Sequence, residues 1–131
     1  MIALDTNVLL RLLIDDDPEQ FSRANRFILK LAADSEEGVI TDNALAEIVW
    51  VLQSRYKATK PEIIDALQVI SNLIGVRVAS RSRFYGALSA YSAGKGDFAD
   101  YLLREQAREA GCRAVATFDK ALLKDAGFIE P

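Results

Sequence analysis

Short apolar runs along the chain alternate with longer stretches in which apolar residues recur every three or four positions. Ile2-Ala3-Leu4 has no polar face and suits a central parallel strand covered on both sides. It ends in Asp5. Thr6 and Asn7 are good helix-start residues ahead of Val8-Leu9-Leu10 and Leu12-Leu13-Ile14, which predict an apolar helix. Asp17 and Pro18 then occupy the N-cap and first helical position of a helix carried by Phe21, Ala24, Ile28 and Leu31 to about Ala33. Glu37-Gly38 breaks that period, and Val39-Ile40-Thr41 predicts a second strand.

Asp42 or Asn43 opens the next helix, whose stripe is Leu45, Ile48, Val49, Leu52 and Tyr56. Thr59-Lys60-Pro61-Glu62 has the capping-box pattern and starts a helix through Ile63, Ile64, Leu67, Ile70 and Leu73, stopped by Gly75. Val76-Arg77-Val78 alternates like a strand. A helix from Phe84 to about Ala93 closes at Gly94-Lys95-Gly96. Asp97 starts another, on which Ala99, Leu103, Ala107 and Ala110 form a narrow apolar stripe up to Gly111. Ala114 to Thr117 predicts a buried strand, Lys120 to Ala126 a short helix, and Phe128-Ile129 a last strand. The alternation implies an α/β fold, three layers (α/β/α) around a mainly parallel sheet of four to five short strands with right-handed crossovers.

The 131 residues, without repeat or linker, are expected to form one domain, 1–131. Half are hydrophobic, and no apolar run approaches the ~18 residues of a membrane span, so no membrane role is expected. The first residues lack a basic start and are interrupted by Asp5 and Arg11, unlike a signal peptide. A cytoplasmic location is expected. The single cysteine, Cys112, excludes an internal disulfide framework and is expected to be buried beside a strand. There is no histidine, which removes Ser-His-Asp and Cys-His triads and histidine metal sites together. Carboxylates must carry any chemistry. A net charge of −3 argues against non-specific coating of nucleic acid, yet an acidic site filled by divalent cations has its sign locally reversed.

Each acid has two readings. Asp5 stands at a strand's carboxyl end, where open α/β sheets build their sites, and it could equally cap the helix behind it. Glu47 is the only charge between Asn43 and Ser54 in a helix apolar nearly all round. A buried carboxylate there would need a metal, a proton or an ion pair with an arginine such as Arg11 or Arg104. Asp97 and Asp100, three apart, share one helix face, where they could serve a site or simply favour the helix start. Asp119, after Thr117, repeats the choice at another strand end. Together these acids sit where a parallel sheet would gather them, and gathered acids repel unless a cation neutralises them. Hard oxygen ligands select Mg²⁺ or Mn²⁺, and metal-dependent phosphodiester hydrolysis is the chemistry implied.

Asp5-Thr6-Asn7 after an amino-terminal strand, Thr41 followed by Glu47 in Leu-Ala-Glu-Ile-Val-Trp-Val-Leu, Asp97-Phe98-Ala99-Asp100 and Thr117-Phe118-Asp119 are in order along the whole chain. This pattern resembles the PIN-domain nucleases, specifically the VapC toxins of toxin–antitoxin pairs. The resemblance implies a PIN-like α/β/α domain and a Mg²⁺- or Mn²⁺-dependent endoribonuclease. Its partners would be an RNA substrate, a cognate VapB-like antitoxin and a second copy in a homodimer.

It assigns metal ligation to Asp5 and Asp100, ligation or water orientation to Glu47, and support of a second ion to Asp97 or Asp119. Thr6, Asn7 and Thr117 take supporting places. Tyr101 departs from the small residue common there. Arg81, Arg83, Lys95 and Arg104 are candidates for contact with RNA phosphates, or belong to a solvated face. Phe21, Phe27, Ile63 and Ile64 are candidates for partner surfaces. Two other readings are an aspartyl-phosphate phosphatase, whose usual second acid is absent at Asn7, and a non-catalytic binding module whose acids cap helices.

Overall fold

In a computed structural model that describes residues 1–131, five short strands form two parallel ladders, and the chain divides into two units, Met1–Ala79 and Ser80–Pro131. No helix is long and apolar enough to cross a membrane.

The first unit runs β1 (Ile2–Ala3), α1 (Thr6–Leu13), α2 (Pro18–Ala33), β2 (Gly38–Ile40), α3 (Asp42–Ser54), α4 (Lys60–Ser71) and β3 (Val76–Val78). Its ladder order is β1-β2-β3, with Ile2 opposite Gly38 and Ile40 opposite Val78. Each strand-to-strand connection carries two helices, which supply the crossover that parallel pairing requires. The helix starts are those the sequence encodes. Asp17 Oδ1 accepts the Gln20 N–H (3.1 Å) and Thr41 Oγ1 the Ala44 N–H (3.2 Å). Thr59 and Glu62 close a reciprocal box, with Glu62 Oε1 accepting the Thr59 N–H at 2.9 Å. Those bonds hold the Glu62 carboxyl below its ordinary range. Leu4, Leu9, Leu10, Ile40, Leu45, Ile48, Ile63, Leu67 and Ile70 fill the core. Gly38 has no room for a side chain, because a Cβ there would lie 2.9 Å from Leu4 Cδ1.

The second unit comprises α5 (Arg81–Ala93), α6 (Phe98–Glu109), β4 (Val115–Ala116), a single 3₁₀ turn (Leu122–Lys124) and β5 (Phe128–Ile129), with β4 and β5 parallel. Its centre is Tyr101, fully buried. The Tyr101 hydroxyl donates to Asp125 Oδ2 (2.5 Å) and accepts the Gly96 N–H (3.0 Å). Burial and the Asp125 bond push the phenol's pKa up. Gly94 is required by the same hydroxyl, with which a Cβ there would collide, and Gly96 by Leu122, which a Cβ there would strike. Gly111 ends α6 at φ +88°, a conformation that favours glycine.

Several expectations change. β1 is the outer strand of its ladder rather than a central one, and Ile2 is 42% exposed; β2 is the strand with neighbours on both sides. Thr41 caps α3 instead of extending β2. The buried face of α6 is Phe98, Tyr101, Leu102 and Glu105, whereas Ala99, Leu103 and Ala110 are exposed. Two aromatic rings bury far more apolar area than a stripe of alanines, so they decide the helix's rotation. Cys112, just beyond the Gly111 turn, is exposed. Ile63 belongs to the core and offers no partner surface. The stretch from Lys120 to Ala126 forms only the one 3₁₀ turn. β4 is half-exposed instead of buried.

Tyr101→Phe keeps the ring and removes the hydroxyl, leaving the buried Gly96 N–H without its acceptor. The expected loss is about 1–3 kcal/mol of unfolding free energy, read as a lower urea midpoint at unchanged slope. An unchanged midpoint would remove this hydroxyl from the interactions that hold the turn.

Candidate active-site carboxylates

Asp5 follows β1 and Leu4, which is buried, and precedes Thr6, also buried, so packing on both sides fixes its backbone. It occupies the N-cap position of α1, in extended conformation (φ −71°, ψ 155°), and its carbonyl accepts the Val8 and Leu9 N–H groups. Its side chain makes no cap bond. The carboxylate is exposed, and its one hydrogen bond is a long 3.5 Å contact from Asn7 Nδ2. The capping account of Asp5 therefore fails at the carboxylate.

Glu47 departs from its expected burial. It is exposed, on a face of α3 that carries Asn43, Trp50 (66% exposed) and Ser54 at helical spacing, while Ala44, Leu45, Ile48 and Leu52 take the core. An exposed carboxylate needs no partner. The arginines proposed for it are engaged elsewhere: Arg11 bonds Asp16 and Gln20, and Arg104 bonds Glu105 and the Ala126 carbonyl.

In the second unit, Asp97 and Asp119 each come within electrostatic range of Asp100. Asp97 is the N-cap residue of α6, and Asp100 Oδ2 accepts its N–H at 3.1 Å. The Asp100 carboxyl is pushed above its ordinary value, first by burial and then by the charges of Asp97 and Asp119, with the Asp97 N–H opposing. Asp119 is fixed by a tight turn: its N–H donates to Thr117 Oγ1 (3.0 Å), and its Oδ1 accepts the Ala121 N–H (2.9 Å). Capping thus explains one oxygen of Asp119 and part of Asp100, but not why a partly buried Asp100 feels the charges of both Asp97 and Asp119.

In neither unit do three His, Cys, Asp or Glu side chains close into a group that could hold a metal ion unaided. In donor chemistry the residues do fit a hard divalent cation: every candidate is a carboxylate, and Asp100 bears repulsion that a cation relieves.

Among the basic candidates, Arg83 pairs with Glu109 (2.7 Å) and Arg81 lies over the Tyr85 ring. Arg104 keeps only 13% of its side chain exposed, over the Tyr101 and Phe128 rings, and Lys95 is exposed. Two features had no place in the expectations. Glu105 is buried between Arg104 (3.3 Å) and Arg108 (3.1 Å), and Arg23, Arg26 and Lys30 line one side of α2. The second was visible as an i, i+3, i+7 spacing.

A model of the PIN domain matches residues 2–129, through both units. The chain belongs to the PIN domain family. The VapC ribonuclease of Aquifex aeolicus (strain VF5) is 27% identical to it over 124 residues, covering 95% of this chain and 91% of that protein.

For this PIN domain the raised Asp100 pKa has a thermodynamic consequence. A carboxyl whose folded pKa lies above its ordinary 3.8 loses folding free energy as pH rises through the folded value, and carries no such cost below the unfolded one. Asp100→Asn removes the charge while keeping an acceptor for the Asp97 N–H. Its melting temperature at pH 7 is expected to equal or exceed that of the wild type, with any gain vanishing as the pH falls below about 4. A drop of several degrees at pH 7 would mean that the carboxylate stabilises the fold.

Proposed function

We propose that the chain is a Mg²⁺- or Mn²⁺-dependent endoribonuclease, the toxin of a toxin–antitoxin pair, with RNA as substrate and a VapB-like antitoxin and a second copy of itself as partners. The observation that carries the reading is the state of the carboxylates: Asp5 ends a strand without capping its helix, and Asp100 is held beside two further negative charges. Membership of the PIN domain family and the likeness to a VapC ribonuclease support it.

Asp5, Glu47 and Asp100 are the principal catalytic acids of this reading, and Asp119 the fourth. Asp5 and Asp100 would hold the cation, with Glu47, Asp97 and Asp119 as further ligands. When bound, a divalent cation lowers the pKa of its water and polarises a phosphodiester oxygen. The protein's part is orientation. Asn7 donates to Asp5, buried Thr6 fixes the turn on which Asp5 stands, and Thr117 and the Ala121 N–H fix Asp119. Lys95 and Arg81 are exposed and available to phosphates, and half-buried Ile64 stays a candidate for a partner face.

Purified protein is expected to cut RNA with Mg²⁺ or Mn²⁺ and to stop with EDTA. Asp5→Asn and Asp100→Asn should each lower the cleavage rate by roughly a hundredfold or more, the scale on which loss of one preorganised charged group acts, while both stay folded. Mg²⁺ should raise the wild-type melting temperature, because an ion that binds only the native state stabilises it. Undiminished cutting by Asp5→Asn sinks the assignment. A melting temperature indifferent to both metals favours a binding module whose acids only cap helices.

A further inference from the structure

Arg23, Arg26 and Lys30 recur at i, i+3 and i+7 on α2, beside the buried stripe of Ala24, Ile28 and Leu31. All three are exposed. Five arginines elsewhere are answered by acids: Arg11 by Asp16, Arg77 by Glu37, Arg83 by Glu109, and Arg104 and Arg108 by Glu105. Arg23, Arg26 and Lys30 have no carboxylate partner, and Glu19, one turn before Arg23, makes no ion pair with it. The three cations line a groove of about 590 Å³ between α1 and α2, to which Val8 and Phe27 add apolar surface. The Phe27 ring is 38% exposed. Asn7 also lines the groove, and its Nδ2 lies 3.5 Å from the Asp5 carboxylate.

The cations step along the helix by roughly 4.5 and 6 Å, within reach of successive phosphates of a flexible strand. A cationic track with an aromatic face beside it is the combination that binds single-stranded nucleic acid, phosphates on the charges and a base on the ring. An acidic peptide would use the cations but leave the ring unexplained. We propose that the α1–α2 groove binds single-stranded RNA, holding phosphates on Arg23, Arg26 and Lys30 and leading the strand past Asn7 to Asp5. This deepens the RNA-hydrolysis reading and rests on it. Arg11, held by Asp16 and Gln20, shapes the groove without contributing free charge.

The test is anisotropy of a fluorescein-labelled, unstructured RNA titrated with the full chain as Asp5→Asn, across a range of KCl. The comparison is the same protein carrying Arg23→Gln, Arg26→Gln and Lys30→Gln. At about 0.1 M salt the triple change should weaken binding roughly tenfold or more and shrink the slope of log affinity against log salt by about 2, near 0.7 per phosphate released. Arg23→Lys with Arg26→Lys, which keeps the charges, should keep the slope, and circular dichroism melts should match. In the cleaving protein the triple change should raise KM and leave kcat.

Binding and slope untouched by the triple change, in a protein that still cuts RNA, overturn the groove alone. Wild type that neither binds nor cuts RNA overturns the functional reading and the groove together. If the triple change abolishes capture of an acidic peptide but not of RNA, the groove belongs to a protein partner and the proposal falls.

Discussion

One buried phenol holds the second unit together. Tyr101 accepts from Gly96 before α6 and donates to Asp125 after the 3₁₀ turn, so the start of the helix and the loop that follows Asp119 are bonded to a single oxygen. Around it the constraints interlock. Arg104 lies over the Tyr101 and Phe128 rings, donates to the Ala126 carbonyl and pairs with Glu105. Glu105 in turn leaves no room for a side chain at Gly86, and Arg104 none at Gly127. This rigidity lets Asp97, Asp100 and Asp119 stay close although their charges oppose it. A looser helix start would let the carboxylates swing apart and relax the repulsion.

The first unit solves a related problem differently. A helix start must satisfy its free N–H groups, and an aspartate at the N-cap usually does so with its side chain. At Asp5 the backbone carbonyl takes the Val8 and Leu9 N–H groups, and burial of Leu4 and Thr6 holds the turn in place. The carboxylate is left without a structural task. Position alone could not have separated cap from ligand, because both place an aspartate at the same residue.

Local chemistry was legible and rotation was not. Asp17, Thr59 with Glu62, Gly75 and Gly111 act at the ends where the sequence placed them, since a cap or a left-handed glycine depends on a few neighbouring atoms. The face a helix buries depends on what packs against it. On α6 the aromatic rings overrode the periodicity of the alanines, and on α3 a helix with one charge still kept an exposed side, carrying Glu47 and Trp50 together. Composition counts apolar residues without showing whether enough protein surrounds them, so an apolar helix such as α3 can still leave Glu47 in solvent. The absence of histidine leaves carboxylates as the candidate groups for the chemistry whether or not Glu47 is buried.

An acidic chain acting on a polyanion must sort its charges in space. Uniform mixing would leave every cation neutralised by a carboxylate at ion-pair distance, as Arg11, Arg77, Arg83 and Arg108 are. The row of three unpaired cations on α2 follows from sequence spacing. Arg23, Arg26 and Lys30 recur without an acid among them, and the nearest acidic residues fall at the helix's two ends, Glu19 in the first turn and Asp34 at the C-cap. Unpaired cations cost little where water solvates them, so the helix tolerates them without a compensating bond. Their free energy is available to a phosphate chain because no internal carboxylate has already taken it. Net charge sets long-range repulsion, which salt screens within about 8–10 Å, whereas contact is decided by the charges a groove leaves unmatched.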